Sequence, residues 1–222
     1  MNTRALLALG LALAASACTS ATPPLAVAGI CGPPDDPVAC VPPAGTCASF
    51  QNGHLFAYAT VTTATGSYGN FLTAAAEIDN RAADNSDPSV GRVNTNDATI
   101  TSAKVSYSGL AVPAVESLGL FTPVRANGTA TLFLPIISST TMAAISAQMT
   151  TGALASVELV ARVTLVGHLG DGTGFEVEPY DVPVIVYNAA FDATTACADP
   201  TQVRFYCYYP GQSGSSKCAA PL

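Results

Sequence analysis

The sequence has little charge and almost no lysine. Charged residues make up 10% of the chain, and 8 basic against 15 acidic residues give a net charge of −7. Lys104 and Lys217 are the only lysines, so the chain offers no basic patch. Proteins that bind nucleic acid draw much of their affinity from neutralising phosphates with lysine and arginine. The composition therefore excludes nucleic acid as a partner.

The motifs of common catalytic and zinc sites are also missing. The chain has no G-x-S-x-G, no S-x-x-K and no C-x-x-C, and neither histidine lies at zinc-ligand spacing from a cysteine. His54 and His168 fall at the ends of predicted strands, where an imidazole is usually solvated. The sequence therefore predicts a protein that is not an enzyme and has no catalytic residues. A hydrolase with His168 or His54 as its general base is the least favoured alternative.

No apolar run is long enough to cross a membrane. The N-terminal run of apolar and small residues, 5–15, follows Arg4 and is shorter than the ~20 residues that a spanning helix needs. A short apolar run after a basic residue, ending in small residues, is typical of an export signal. We therefore expect residues 1–17 to be a signal peptide.

The end of this signal resembles a known processing site. The residues Ala14-Ala15-Ser16-Ala17-Cys18 resemble the lipobox of bacterial lipoproteins. The resemblance implies a lipid on Cys18 that anchors the exported chain to a bacterial membrane. Thr19, at the next position, resembles lipoproteins that are sent on to the outer membrane. The alternative is an ordinary secretory leader that is cut after Ala17.

The number of cysteines agrees with a lipid-modified, exported chain. Seven cysteines are an odd number, and lipidation of Cys18 leaves six for three disulfides in an oxidising compartment. The six fall into two triplets, one near each end: Cys31, Cys40, Cys47 and Cys197, Cys207, Cys218. Three cysteines cannot all pair within one triplet, so at least one bridge must join the two ends. The pairing itself stays open among 15 arrangements.

Composition divides the mature chain into three parts. Residues 18–47 contain seven prolines between positions 21 and 43, which predicts a lipidated spacer and a cysteine-containing entry segment. Residues 48–190 show the alternation of a β domain. Residues 191–222 form a cysteine-rich C-terminal tail.

Period-two alternation dominates the central part. It is clearest over 157–166, where apolar residues occupy the odd positions, and it recurs over 55–63, 71–78 and 129–137. Asn127-Gly128 predicts a hairpin turn ahead of the last of these runs. Ser138 followed by Met142, Ile145 and Met149 predicts one short helix.

Many short strands and one short helix predict an all-β fold, most simply an antiparallel β-sandwich stapled by a disulfide collar at its two ends. The segments Ala161-Arg162-Val163-Thr164-Leu165-Val166-Gly167 and Val182-Pro183-Val184-Ile185-Val186 resemble the closing strands of immunoglobulin-like domains in uncharacterised bacterial surface lipoproteins. The resemblance implies an immunoglobulin-like sandwich with a structural or protein-interaction role, and it implies no site residues. A closed β-barrel is the alternative.

Two segments are candidates for binding. An Asx-rich loop carries Asp79, Asp84 and Asp87, whose oxygens suit calcium, although their spacing differs from that of the known calcium loop. A calcium- or glycan-binding domain that uses loops 79–97 is therefore an alternative function, and no other cofactor is expected. The tail carries residue types that are enriched in interface hot spots: Arg204, Phe205, Tyr206, Tyr208 and Tyr209. They are the candidate surface for another surface or periplasmic protein.

Overall fold

The computed structural model describes residues 24–31, 47, 54–109, 115–194, 197–200, 202–206 and 216–219. Within these residues the chain forms twelve strands and one helix. The strands are β1 Leu25–Ile30, β2 Leu55–Thr63, β3 Gly66–Gly69, β4 Leu72–Asn80, β5 Ala98–Ser108, β6 Glu116–Val124, β7 Gly128–Ile137, β8 Ser156–Leu169, β9 Gly174–Glu176, β10 Tyr180–Asp192, β11 Val203–Tyr206 and β12 Ser216–Ala219. The helix, α1, is Ser139–Thr151. The prediction of an all-β protein with one short helix is confirmed.

Two sheets share one core. A three-stranded sheet has the order β1-β4-β7, and a seven-stranded sheet has the order β3-β2-β10-β8-β5-β6, with β9 beside β8. The β structure includes a curled half-barrel. Buried apolar side chains from both sheets and from α1 form a single cluster. A separate two-stranded sheet, β11-β12, lies in the tail.

The alternation read from the sequence decides which side chains enter this core. On β8, Leu159, Ala161, Val163 and Leu165 are buried, and the residues between them are exposed or half-buried. The run predicted over 55–63 is observed as β2 with the same bounds. A period of two places alternate side chains on opposite faces of a sheet, so an apolar face toward the core follows from the pattern alone.

The helix begins where its cap was predicted. The Ser138 side chain accepts a hydrogen bond from the Thr141 amide at 3.1 Å, which satisfies one of the free N–H groups of the first turn. Met142, Ile145 and Met149 are fully buried, and the helix packs against β2, β3 and β10. The three side chains are spaced by three and four residues, so they lie on one face of the helix and cover the core.

The hairpin predicted at Asn127-Gly128 is wrong. Asn127 has the expected positive φ of 50°, but Gly128 does not, and it starts β7 instead of completing a type I′ turn. The strands on either side, β6 and β7, belong to different sheets. The Asn-Gly step therefore carries the chain from one sheet to the other, because the burial of each strand decides its partner more strongly than the turn residues do.

The proline-rich segment contains a strand that the sequence did not predict. Leu25–Ile30 pairs antiparallel with β4, with Leu25 opposite Asn80. This strand lies at the edge of its sheet, next to Pro24, and edge positions tolerate neighbouring prolines. The β structure therefore begins at Leu25, within the segment that was predicted to be a spacer.

One pairing departs from a wholly antiparallel sandwich. Strands β2 and β10 are parallel, with Leu55 opposite Val184 and Asp192 opposite Thr62, whereas the other pairs of named strands are antiparallel. Parallel neighbours need a long connection, and here almost the whole domain lies between them. The antiparallel expectation is therefore wrong at this one pair.

Candidate functional site

The three aspartates predicted to bind calcium lie at one end of the sheets. At this end Leu25, Asn80 and Gly128 lie side by side in register on β1, β4 and β7. The chain leaves β4 at Asn80 and returns at Ala98, the first residue of β5. We call residues 81–97 the arm and this end of the sheets the arm end. The opposite end, where α1 begins, is the helix end.

Each of these aspartates is already engaged with a residue two positions further on. Asp79 forms an ion pair with Arg81 at 2.8 Å. The Asp84 carboxylate accepts a hydrogen bond from the backbone amide of Ser86 at 2.7 Å. The Asp87 carboxylate accepts one from the backbone amide of Ser89 at 3.0 Å and another from the Ser89 hydroxyl. These hydrogen bonds hold the pKa of both carboxyls below its ordinary value. Such contacts are Asx-turn chemistry, and no group of three metal-ligating side chains occurs in the described part of the chain.

The same loop consists of two limbs, residues 81–87 and 92–97, which are joined by hydrogen bonds. The Asn85 side-chain Nδ2 donates to the Thr95 hydroxyl at 2.6 Å, and the Asn85 Oδ1 accepts from the Thr95 backbone amide at 2.9 Å. Asp87 and Arg92 exchange both backbone hydrogen bonds, at 2.9 and 3.0 Å. Between them a 3-10 turn, Pro88–Val90, ends at Gly91 in the left-handed region, with φ of 69°. The arm is therefore an ordered loop, and we call residues 88–93, the turn and the two residues after it, its tip.

The base of the arm is fixed by a buried amide. Asn80 is fully buried, and its Nδ2 donates to the carbonyl oxygens of Asn96 at 3.0 Å and Val124 at 3.2 Å. Its Oδ1 accepts from the Ala82 amide at 3.1 Å. Because Val124 belongs to the seven-stranded sheet, this one side chain joins both limbs of the arm and both sheets.

The tip of the arm is apolar and open to solvent. Val90 is 68% exposed and Val93 is 76% exposed, among the highest values of the large apolar residues described. Val90 is the last residue of the turn that Asp87 caps, and Val93 follows Arg92 on the returning limb. The sequence pattern of this segment predicts only oxygen ligands and does not reveal the apolar tip, because two valines among polar residues show no periodicity.

A second polar cluster lies at the helix end. The Glu116 carboxylate accepts hydrogen bonds from the hydroxyls of Ser138, at 2.6 Å, and Thr141. The Tyr107 hydroxyl lies 2.9 Å from both a Glu116 oxygen and the Ile136 carbonyl oxygen, and donates its proton to one of them. The cluster ties β5, β6 and β7 to the first turn of α1, where a negative charge also faces the positive end of the helix dipole.

The pKa values of this cluster follow from its contacts. Burial by itself would raise the pKa of Glu116, but the hydrogen bonds from Ser138, Thr141 and Tyr107 outweigh it and hold the pKa below its ordinary value. Burial raises the pKa of the Tyr107 hydroxyl, and the neighbouring Glu116 carboxylate raises it further. The carboxylate is therefore charged and the phenol protonated at neutral pH. This arrangement is suited to holding a helix in place.

The histidines lie apart from this cluster. His168 is exposed on β8, opposite Thr99 on β5 and Gly174 on β9. His54 is exposed just before β2 and borders a groove beside Gly109 and Pro183. In the part of the chain that the structure describes, neither imidazole is hydrogen-bonded to a serine or a carboxylate.

Two aromatic features were missed by the sequence analysis. Phe121 on β6 is 79% exposed and Phe133 on β7 is 51% exposed, and both line a cleft of about 470 Å³ between these two strands. On the other side of the domain, the Tyr58 ring lies 5.3 Å from that of Tyr187 and 5.5 Å from that of Phe191. Tyr58 and Phe133 fall within predicted strand runs, whereas the β6 strand that carries Phe121 was not predicted.

The cysteines and the tail are described in part. Two disulfides are present, Cys31–Cys47 and Cys197–Cys218, each within one of the predicted triplets. The predicted bridge between the triplets would then join Cys40 and Cys207, and these two lie outside the described residues, as does Cys18.

Only part of the candidate partner surface lies within the described residues. Arg204, Phe205 and Tyr206 lie on β11, paired with Cys218, Lys217 and Ser216 of β12. Tyr208 and Tyr209 fall outside the described residues. The backbone of the first three residues thus lies in a two-stranded antiparallel sheet, whose strand β12 is linked to the start of the tail by the Cys197–Cys218 disulfide.

The fold and these sites were compared with known proteins. No protein-family model, no curated protein and no solved structure matches the chain. Within the described residues, no helix combines the length and the apolar character needed to cross a membrane.

Proposed function

We propose that this chain is an exported lipoprotein, anchored through Cys18 to a bacterial membrane, whose β domain serves as a structural or protein-interaction module. The observation that carries the proposal is the pair of disulfides, Cys31–Cys47 and Cys197–Cys218, near the two ends of the chain. Disulfides persist in oxidising compartments such as the periplasm and the cell surface. They therefore support the export that the N-terminal residues predict.

The fold that we propose is a variant of the immunoglobulin-like sandwich. Its support is a core shared by a three-stranded and a seven-stranded sheet, with Leu25–Asp192 as one unit of β structure. The membrane that we propose is the outer membrane, and its support is Thr19 after the lipidated cysteine. The fold alone does not select a function, since sandwiches serve many.

The anchor and the disulfides are tested by the intact mass of protein extracted from its native membrane. Alkylation before and after reduction counts the free thiols and the paired ones. We expect a chain that begins at Cys18, carries a lipid-sized increment, and exposes six thiols only after reduction. A Cys18→Ser variant is the matched control and should appear unlipidated. A wild-type chain without lipid, or with six free thiols, would overturn the proposal.

The interaction surface that we propose is the tail hairpin, because β11 carries Arg204, Phe205 and Tyr206, which are residue types enriched in hot spots. Cross-linking at the cell surface should capture a partner protein with the native chain. Alanine at all three positions should remove that partner. Phe121→Ala, which removes an exposed ring elsewhere, is the control and should leave capture unchanged. Equal capture by the triple variant and the native chain would exclude this surface.

The calcium-binding alternative receives no support from its three aspartates, since Asp79 forms an ion pair with Arg81 and Asp84 and Asp87 accept internal hydrogen bonds. A thermal melt in calcium and in chelator tests it directly. We expect the same midpoint in both. A rise of several degrees with calcium would favour the alternative.

A further inference from the structure

We propose that the tip of the arm is a membrane contact, in which Val90 and Val93 rest in the surface of the bilayer that holds the anchor. The proposal rests on the proposed lipid at Cys18 and adds an orientation of the domain. The arm end would face the membrane and the helix end would face away from it.

The first step is the place where the chain enters the domain. Leu25 pairs with Asn80, the residue before the arm, and the Pro24 carbonyl oxygen accepts a hydrogen bond from the Arg81 amide at 2.7 Å. The segment that leads from the anchor therefore reaches the domain beside the first residue of the arm. An anchor at Cys18 must hold the arm end, and not the helix end, close to the bilayer.

The second step compares two lengths. Seven residue steps separate Cys18 from Leu25, which span at most about 25 Å at ~3.5 Å per residue. A spacer of residues 18–47 would have reached roughly 100 Å by the same measure. The outgoing limb of the arm, residues 81–87, spans at most about 20 Å by the same measure. The maximal reach of the arm is thus comparable to that of the tether, so its tip can meet the surface to which the tether is fixed.

The third step is the chemistry of the tip. Val90 is 68% exposed in the turn that the Asp87–Arg92 bridge closes, and Val93 is 76% exposed directly after that bridge. An ordered apolar tip loses little conformational freedom on binding. Two valines bury too little area to hold a protein on a membrane alone. A lipid anchor raises their effective concentration at the surface, so they then orient the domain.

Charge decides which lipid surface fits. Residues 79–97 carry two arginines, Arg81 and Arg92, against four aspartates, Asp79, Asp84, Asp87 and Asp97. This balance gives anionic lipids no advantage, because like charges repel. The occupant is therefore the neutral headgroup boundary of a bilayer, contacted through apolar area.

The absence of tryptophan from the chain makes the contact measurable. A Val90→Trp variant carries a single indole at the tip. The lipidated variant, extracted from its membrane, is reconstituted into phosphatidylcholine vesicles whose acyl chains are brominated near the headgroup. We expect at least a twofold loss of indole fluorescence relative to unbrominated vesicles, together with a blue shift. Replacing part of the lipid with phosphatidylglycerol should not increase the quenching.

The matched control is Leu154→Trp. Leu154 is 45% exposed and lies just before β8, whose two ends, Ser156 and Leu169, are thirteen residues apart. At ~3.3 Å per residue this separation is roughly 40 Å, so this indole should show no quenching. Adding Val93→Asp to the Val90→Trp variant should reduce its quenching at least twofold.

The outcomes separate the two proposals. A chain whose mass shows no lipid on Cys18 would overturn both the anchor and the contact. A lipidated chain in which the indoles at 90 and 154 are equally unquenched would overturn the contact and leave the anchor standing. Quenching at position 90 that Val93→Asp does not change would assign the contact to the introduced indole and overturn the role of the valines.

Discussion

The arm end and the helix end close the same core with different groups. At the arm end, buried Asn80 and a loop of hydrogen-bonded Asx side chains cover the strands with little apolar area. At the helix end, the apolar face of α1 covers the core, and the Cys31–Cys47 disulfide packs with Ala75 of β4 in a separate small cluster. Hydrogen bonds are directional and give a small net stabilisation each, whereas apolar burial is non-directional and large. The arm end is therefore built for a defined shape, and the helix end for stability.

The largest expected effect is at the helix end. Ile145 is a fully buried residue of α1, so Ile145→Ala removes apolar burial and leaves a cavity. We expect the free energy of unfolding to fall by about 3 kcal/mol, measured by urea denaturation. Thr140→Ala, at an exposed position of the same helix, is the control and should change it by less than about 0.5 kcal/mol. Similar losses for both variants would contradict the comparison.

We expect the second-largest loss of stability from removing the disulfide at the helix end. Cys31 and Cys47 are 16 residues apart, and closing a loop of that length stabilises the folded state by about 3 kcal/mol in the chain-entropy model. Serine at both positions should lower the urea midpoint accordingly. Serine at Cys197 and Cys218 is the parallel variant. An unchanged midpoint for the first variant would show that the helix end does not depend on its disulfide.

A smaller effect is expected at the arm end. Asn80→Ala leaves the Asn96 and Val124 carbonyl oxygens without their donor, which should lower the free energy of unfolding by about 2 kcal/mol. Hydrogen exchange at the Arg92 and Thr95 amides should speed up, since the limbs lose their base. Asn188→Ala is the control, because the hydrogen bond that its side chain donates to the Leu154 carbonyl oxygen is exposed. Equal changes in stability and hydrogen exchange for the two variants would mean that Asn80 does not hold the base of the arm.

The smallest effect concerns pH. Because the pKa of folded Glu116 lies below its ordinary value, its charged form stabilises the folded state above about pH 4.3, the unfolded value. This stabilisation disappears as the pH falls through the folded pKa. Glu116→Gln should therefore lower stability by about 1 kcal/mol at pH 7, and this loss should shrink as acidic pH protonates Glu116.

Thermal melts across that range, with exposed Glu158→Gln as the control, test the role of Glu116. A difference between native chain and Glu116→Gln that stays constant from pH 7 to pH 3 would show that the negative charge of Glu116 does not fasten α1. The helix end would then rest on apolar burial and its disulfide alone.

Much of the β structure was predictable, and little of the arm was. The alternation over 157–166 and the cap at Ser138 are local signals, and each produced the expected element. The arm depends on Asn85 meeting Thr95 and Asn80 meeting Val124. Nothing in the spacing of these residues indicates that they touch, so the sequence indicated only a loop rich in oxygen ligands.

The sequence by itself determined which residues face the core, where the helix begins and that the cysteines pair, because these depend on short periods, local hydrogen bonds and residue chemistry. Only the tertiary structure decided that Leu25–Ile30 is a strand, that β2 and β10 run parallel, and that Asn127-Gly128 joins two sheets. Each of these depends on contacts between distant segments. A strand finds its partner by the apolar area the pair buries together, and that area exists only once the rest of the core is in place.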